Sequence, residues 1–166
     1  SSAVNAVWVF KSISFPKQQR DALMNQEAAA MGATRSHFVN PNGLPDENHY
    51  TCVYDMYLIF SNAIKNDTFV SIIGTTSYDV TYTDASGEAV THTWENTNQY
   101  LTGNATTPDG FQIVGGKTGT TGEAGYCLVL YSYNPSGQPI ISIVFKADGK
   151  SNLYLLMNEM LQGFAI

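Results

Sequence analysis

One lysine lies among glycines and threonines in the stretch GGKTGTTGEAGYC, residues 115–127. An ammonium group with hydroxyl side chains beside it can attract a carboxylate and can assist proton transfer. Glycines on either side let another chain approach the backbone closely, because they carry no Cβ atom. These residue types make Lys117 a candidate for a binding or catalytic cleft.

Two motifs contain the Gly-Lys-Thr order of residues 116–118. A phosphate-binding loop needs a glycine at position 111 and a helix after the lysine, but the chain has Phe111 there, Gly110 is one place early, and a glycine-rich strand pattern follows. Nucleotide binding is therefore disfavoured. The other motif is Lys-Thr-Gly on the edge of a strand, the third motif of serine penicillin-recognising enzymes. A tripeptide alone has little specificity, so the longer context decides.

Three blocks resemble the D-alanyl-D-alanine carboxypeptidases, the low-molecular-weight penicillin-binding proteins. They are HFVNPNGLPDENHYTCVYDMYLI, NTNQYL and GGKTGTTGEAGYCLVLYS, in that order. The resemblance implies an α+β domain of the β-lactamase/transpeptidase-like fold, with helices packed on an antiparallel sheet. It also implies a serine acyl-transfer enzyme, without a cofactor, that trims peptidoglycan stem peptides ending in D-Ala-D-Ala and binds β-lactams outside the cytoplasmic membrane.

The same resemblance assigns roles to five consecutive residues. Lys117 would lie by the nucleophile, supply positive potential and assist proton transfer, and the Thr118 hydroxyl would bind the terminal carboxylate. Gly119 would let the substrate backbone approach, and the backbone N–H of Thr120 would form half of the oxyanion hole. Thr121 would lie close to the substrate carboxylate.

The family's serine nucleophile belongs to a Ser-x-x-Lys motif, and Ser14 to Lys17 is the one match in this chain. Pro16 stands inside it, which restricts that turn to the start of a helix, whereas the chemistry needs a regular buried turn. Ser132-Tyr133-Asn134 matches the family's Ser-x-Asn pattern, but it follows the lysine strand and runs into a turn. Neither match is predicted to be catalytic.

The opening SSAVNAV resembles the segment that follows the family's Ser-Gly-Asn-Asp block. We therefore expect the first two sheet strands, the nucleophile helix and the second motif to lie upstream of Ser1. Residues 1–166 would then form the C-terminal part of one catalytic domain, inactive alone. A catalytically dead homologue that binds muropeptide or a protein partner, and a serine β-lactamase, remain alternatives.

The composition limits the classes of partner that the chain could bind. The chain has 8 basic and 14 acidic residues, a net charge of −6, which disfavours nucleic acid and anionic membrane surfaces. No apolar run approaches the about 20 residues of a membrane span, and the first residues of the chain lack the charged and apolar regions of a signal peptide, which we expect to lie outside this sequence if the protein is exported. The three histidines lack a metal-ligand spacing, so no metal is expected. Cys52 and Cys127 are predicted to be buried thiols.

The hydrophobic pattern predicts the elements. A helix should start at Ser14 to Pro16 and end near Met31, a loop should cover residues 36–50, and a second helix should run from a Thr51 N-cap to about Asn66. A hairpin turning at residues 84–87 and three further strands should follow. The apolar side chains of the last helix should pack on that sheet; they are Leu153, Leu156, Met157, Met160, Leu161 and Phe164.

Two expectations concern the surface. Several carboxylates and amides in the loops, and Asp55 in the first turns of a helix, are predicted to be structural. The loop residues are Asp46, Glu47, Asn40, Asn42, Asn96 and Asn98. The aromatic residues Trp94, Tyr126 and Phe145 are predicted to lie in the core. A sheet without its upstream partners would leave an unpaired strand edge and apolar surface, and a homodimer through that edge is expected.

Overall fold

The computed structural model describes residues 17–165. In chain order the helices are α1 (Lys17–Ala30), α2 (Val53–Ala63), α3 (Asp67–Gly74), α4 (Gln99–Thr102) and α5 (Lys150–Gln162). The strands are β1 (Ser77–Thr83), β2 (Ala89–Glu95), β3 (Gln112–Thr121), β4 (Gly125–Tyr133) and β5 (Pro139–Ala147). Both sheets are antiparallel, so the predicted α+β class is confirmed.

Helix α1 ends where the sequence predicts, because Gly32 adopts a φ of 85° that side-chain-bearing residues avoid. The predicted start of this helix at Ser14 to Pro16 lies outside the described residues. The following loop is held closed by a single bridge between His37 and Tyr50. Asn40 braces the same loop, since its Oδ1 accepts the backbone N–H of Gly43 at 2.7 Å.

The prediction that Thr51 caps α2 is wrong. Cys52 occupies the N-cap position, and the Thr51 hydroxyl instead shares a hydrogen bond of 2.8 Å with Ser36. The Ser36 hydroxyl also donates to the buried Asp55 carboxylate at 2.8 Å. The Thr51 side chain therefore ties the preceding loop to α2 rather than capping the helix.

Helix α2 ends slightly before the predicted end near Asn66, and a further helix follows it. α2 stops at Ala63, and Asn66 caps α3 by accepting the Phe69 N–H at 3.1 Å. Phe69 and Ile73 of α3 are buried, and Phe60 meets Phe69 edge to face. The sequence analysis predicted a helix end near Asn66 but not the helix that follows, because an asparagine can end one helix and begin the next.

Strands β3, β4 and β5 form a three-stranded sheet in that order, and its two faces carry separate cores. One core joins α1, α2 and α3 to β4 and β5 through residues such as Met24, Phe60 and Val129. The other joins α4 and α5 to the opposite face through Leu128 and Met157 among others. The sheet is therefore a central layer between two helical layers.

Helix α5 packs on β5 and β4, as predicted, but its buried face differs in part. Leu153, Tyr154, Met157 and Leu161 are buried, whereas Leu156 is exposed. Phe164 lies beyond the helix and is exposed too. The expectation of inward-facing Leu156 and Phe164 was wrong, since only one stripe of a short helix can face the sheet.

Three other burial predictions have mixed outcomes. Tyr126 and Phe145 pack against the two cores, whereas Trp94 is 64% exposed, so its assignment to the core was wrong. Trp94 lies on the β1–β2 hairpin, a two-stranded sheet.

Both cysteines are free; Cys127 is buried but Cys52 is only half-buried. In the described part of the chain, the helices are too short or too polar to cross a bilayer.

Candidate functional site

Strand β3 lies at one margin of the three-stranded sheet and pairs with β4 alone in that sheet. An edge strand presents alternate backbone N–H and C=O groups outward, where an extended peptide can add to the sheet. The register pairs Lys117 with Val129 and Thr118 with Leu128. Because paired residues share a face, Lys117 leaves the strand on the α1–α2 side and Thr118 on the α5 side.

Lys117 is half-buried, and burial lowers the pKa of its ammonium from the ordinary value of 10.5. Its Nζ donates to the backbone oxygen of Thr118 at 2.5 Å, so the side chain curls along its own strand. This bond keeps the ammonium at the strand edge. A partly desolvated cation there interacts strongly with an incoming anion, because little water screens it.

Thr118 is connected to the NTNQYL segment. Its hydroxyl shares a short hydrogen bond of 2.5 Å with the hydroxyl of Thr97, which directly follows Asn96 in the chain. Asn96 accepts the Asn98 N–H at 2.9 Å and donates to the Thr75 backbone oxygen at 2.8 Å. These bonds fix the Thr97 segment beside β3, and they confirm that Asn96 has a structural role.

Asn98 packs against strand β3 beside Gly116. It is completely buried, and its Oδ1 accepts the Tyr100 N–H at 3.2 Å to begin α4. Its amide nitrogen lies 3.3 Å from the point where a Cβ on Gly116 would stand. That Cβ would also meet the Val129 oxygen at 2.5 Å, so only glycine fits next to Lys117. Close packing of Asn98 against Gly116 therefore fixes the position of β3 next to Lys117.

A groove of about 330 Å³ runs along this edge. Four of the five predicted site residues, Lys117, Thr118, Gly119 and Thr120, line it together. Thr97, Tyr126, Lys150, Leu153 and Tyr154 form the rest of its wall. The structure therefore assembles a cleft around the Lys-Thr-Gly motif.

Sequence reasoning missed two groove residues on α5. Lys150, the first residue of that helix, brings a second ammonium to the groove. Tyr154 lies one turn later, and its hydroxyl accepts the Gln99 N–H at 2.7 Å. Burial raises the pKa of Tyr154, so the phenol remains protonated at neutral pH. The signal was the spacing of Lys150 and Tyr154, which places both on one helical face.

Thr121 does not line the groove that the other four predicted residues share. It lines a second groove of about 370 Å³, together with His49, Glu123 and Cys127 among others. Its hydroxyl accepts the Ala124 N–H at 2.9 Å and so closes the turn between β3 and β4. Its predicted contact with a substrate carboxylate stays a prediction.

The remaining candidates have structural partners or lie elsewhere. Asp55 accepts the Arg35 N–H at 2.7 Å, and His37 Nδ1 lies 2.6 Å from the Asn48 backbone oxygen. Asn134 holds the β4–β5 turn by accepting the Gln138 N–H at 2.7 Å. Ser14, the serine of the Ser-x-x-Lys match, lies outside the described residues.

Comparisons with known proteins point to one family. A family model described as D-alanyl-D-alanine carboxypeptidase matches residues 16–149. The chain is 30% identical over 148 residues to the D-alanyl-D-alanine carboxypeptidase of Streptomyces sp. strain K15, covering 86% of this chain and 47% of that protein. It is 32% identical over 139 residues to the D-alanyl-D-alanine carboxypeptidase DacF of Bacillus subtilis strain 168, covering 83% and 33%. It thus spans less than half the length of these two relatives.

Solved structures agree with this. The DD-transpeptidase of Streptomyces K15 superposes with a TM-score of 0.79 at 27% identity, covering 96% of this chain and 62% of that one. A penicillin-binding protein homologue from Mycobacterium tuberculosis superposes with a TM-score of 0.74 at 22% identity, which shows a common fold. The arrangement of the sheet and helices therefore matches that of solved DD-peptidase structures.

Proposed function

The chain belongs to the D-alanyl-D-alanine carboxypeptidase family, and on that premise we propose that β3 forms one wall of a cleft that binds peptides ending in D-Ala-D-Ala. The observation that carries the proposal is the groove itself, which Lys117, Thr118 and Lys150 line together along an edge strand. An extended peptide with a free carboxylate matches such a surface in shape and in charge.

Each polar group has a distinct task in this proposal. The Thr118 hydroxyl, held by Thr97, donates to the terminal carboxylate of the peptide. Lys150 supplies positive charge from the α5 side of the groove. Lys117 supplies charge from the strand and, because burial lowers its pKa, loses its proton more readily than an exposed lysine. It would assist proton transfer to and from the reacting serine.

The backbone of β3 has the remaining tasks. Gly119 offers no side chain to block a peptide lying along the strand. The N–H of Thr120 would donate to the oxyanion that forms when a serine attacks the D-Ala carbonyl. We retain Thr121 as a residue near the carboxylate, because it follows Thr120 on the same strand. The reaction would proceed through an acyl-enzyme that water releases.

The complete reaction needs a serine activated by a neighbouring lysine, and the one Ser-x-x-Lys match of this chain contains Pro16. We therefore propose that the 166-residue chain alone forms no acyl-enzyme. Incubation with a reporter penicillin followed by intact-mass measurement should show no adduct. A stoichiometric mass increase that maps to Ser14 would contradict this proposal.

The same assignment suggests a place of action. Peptides ending in D-Ala-D-Ala belong to peptidoglycan, so we propose that the full protein works on the outer side of the cytoplasmic membrane and binds β-lactams, which mimic its substrate. The net charge of −6 agrees with a neutral or peptide ligand rather than nucleic acid.

Binding of an N-acylated D-Ala-D-Ala peptide to the chain tests the cleft. Thr118→Val removes the hydroxyl but keeps the shape, and it should weaken binding measured by calorimetry by about tenfold, the loss of one hydrogen bond to a charged group. Thr83→Val, at an exposed strand end away from the groove, is the matched control and should change nothing. Equal affinities for the two variants would refute the role of Thr118.

A further inference from the structure

The β1–β2 hairpin has one aromatic face and one polar face. The antiparallel register places Tyr78 opposite Trp94, Val80 opposite His92, and Tyr82 opposite Val90. These six side chains share one face, since paired residues and every second residue point the same way. The other face is polar: Thr81 and Thr91 share a hydrogen bond of 2.9 Å, and Thr93 donates to Asp79 at 2.6 Å.

The aromatic face is open to solvent. Tyr78 is 66% exposed and Trp94 is 64% exposed, and neither belongs to either core. His92 packs edge-on against Trp94 with ring centroids 5.9 Å apart, which orients the indole. Beside the two rings lies a groove of about 630 Å³, which Ser71, Ile72, Glu95 and Asn96 also line. Contiguous exposed aromatic surface of this kind marks an interaction site.

Charge limits what can bind there. From residue 66 to residue 116 the chain contains six Asp and Glu residues and no Lys or Arg. An anionic bilayer or a nucleic acid would be repelled by this acidic region, and a second copy of the hairpin would bring like charges together. A neutral ligand with apolar faces and hydrogen-bonding edges fits rings that carry hydroxyl, amide and carboxylate groups around them.

The hairpin is continuous with the peptide cleft. Asn96 N donates to the Thr76 oxygen at 2.8 Å and closes the base of the hairpin, and Thr97 then bonds to Thr118. The three residue steps from Trp94 to Thr97 span at most about 11 Å. A stem peptide of about five residues extends at most about 18 Å. A sugar attached to the far end of a peptide in the cleft can therefore reach the Trp94 ring.

We propose that the aromatic face of the β1–β2 hairpin binds the neutral N-acetylamino-sugar strand to which the stem peptide is attached. This inference rests on the proposed function. The apolar C–H face of a pyranose ring stacks on Trp94 and Tyr78, and its hydroxyl and acetamide groups bond with Ser71, Glu95 and Asn96 at the groove. The site would favour polymeric, glycan-linked substrates over free peptides.

The test titrates the chain with an N-acetylglucosamine tetramer, which contains no peptide. The chain has two tryptophans, so a Trp8→Phe background leaves Trp94 as the fluorescent reporter. The proposal predicts a saturable change of Trp94 emission. In calorimetry, Trp94→Ala should weaken binding by about tenfold. Trp94→Phe, which keeps an aromatic ring, should recover part of the affinity and shows that the loss is not simply unfolding.

A matched control and a second ligand separate the two proposals. Tyr57→Ala removes another exposed aromatic ring, on α2, and should not change binding of the tetramer. Lys117→Ala should keep tetramer binding but lose the D-Ala-D-Ala peptide, and Trp94→Ala should do the reverse. Peptide binding without tetramer binding overturns the hairpin proposal and leaves the cleft intact. Oligomers that Trp94→Ala dissociates, or Trp94-dependent binding to phosphatidylglycerol vesicles, would overturn it as well.

Discussion

Lys117 is more buried than a lysine usually is. The burial that lowers the pKa of its ammonium also reduces the stability of the fold. Burial lowers the pKa of the ammonium because the charged form loses water that the protein does not fully replace. Its bond to the Thr118 oxygen offsets part of this loss. A site of this kind is stabilised by the rest of the fold rather than by its own contacts.

Replacing Lys117 with methionine should therefore make the protein more stable while abolishing peptide binding. A pKa that is lowered on folding means that the ammonium is less stable in the folded chain than in the unfolded chain, and methionine removes that penalty. The free energy of unfolding in urea should rise by roughly 0.5 to 2 kcal/mol. Lys65→Met, at an exposed lysine on the protein surface, serves as the control. Destabilisation by Lys117→Met would show that the ammonium supports the fold.

The loop that His49 holds is expected to lose stability in acid. Its Nδ1 accepts the Val39 N–H at 3.2 Å, and burial lowers its pKa from the ordinary 6.5. The unfolded chain then binds a proton at a higher pH than the folded chain. The contribution of the neutral ring to the free energy of unfolding is fully present above pH 6.5. It decreases as the pH falls towards the lowered pKa of the folded state. Urea unfolding at pH 7.5 and pH 5.5 should show a smaller difference for His49→Gln than for the unsubstituted chain. An unchanged difference would exclude His49 as the cause.

At the scale of elements, α3 and β3 touch backbone to backbone. A Cβ on Gly74 would meet the Val114 oxygen at 2.6 Å, and a Cβ on Gly115 would meet the Ile73 carbonyl at 2.6 Å. The register shift between Ile113 and Gly115 lies at this contact. The helix thus positions the strand two residues before Lys117.

Gly115→Ala should push α3 away from β3. The methyl group cannot fit without moving a backbone, so we expect a loss of about 1 to 3 kcal/mol in the free energy of unfolding. Peptide affinity should fall as well, because Lys117 shifts with the strand. Gly122→Ala is the control, since a Cβ there meets nothing within 4 Å. Equal melting temperatures for the two variants would argue against the close contact.

The sequence was most informative where local chemistry determines the structure. Gly32, the β4–β5 turn and the alternation of β3, β4 and β5 follow from backbone preferences and period-two patterns. The sequence could not show that Asn66 begins α3 or that the Thr51 hydroxyl bonds to Ser36, because both depend on neighbours. Trp94 was misplaced for the same reason, since no local signal tells whether a helix covers a hairpin.

For the candidate site, the Lys-Thr-Gly motif identified one wall but not the other. Lys150 and Tyr154 come from a helix about 30 residues later, and only the packing of α5 on the sheet brings them to Thr118. Thr121 follows Thr120 in sequence, but the pleat turns its side chain to the other face of β3, where it lines a groove with His49 and Cys127.

At the scale of the whole molecule, helices cover both faces of the three-stranded sheet, whereas its β5 margin has no partner strand within residues 17–165. Unpaired edges bond readily to other strands. We therefore expect the chain to dimerise through β5. Sedimentation velocity over a concentration series should show a monomer and dimer in exchange, and Tyr78→Ala, on the separate hairpin, should not alter it. A monomer at every concentration would contradict this.

We propose that residues Lys117 to Thr120 bind the carboxyl end of a D-Ala-D-Ala peptide. Backbone amide chemical shifts of the isotope-labelled chain, recorded while an N-acylated D-Ala-D-Ala peptide is added, test it most directly. We expect saturable shifts centred on Thr118, Gly119 and Thr120, with weaker effects from the L-Ala-L-Ala peptide. Shifts that are absent from β3, or that are equal for both peptides, would contradict it.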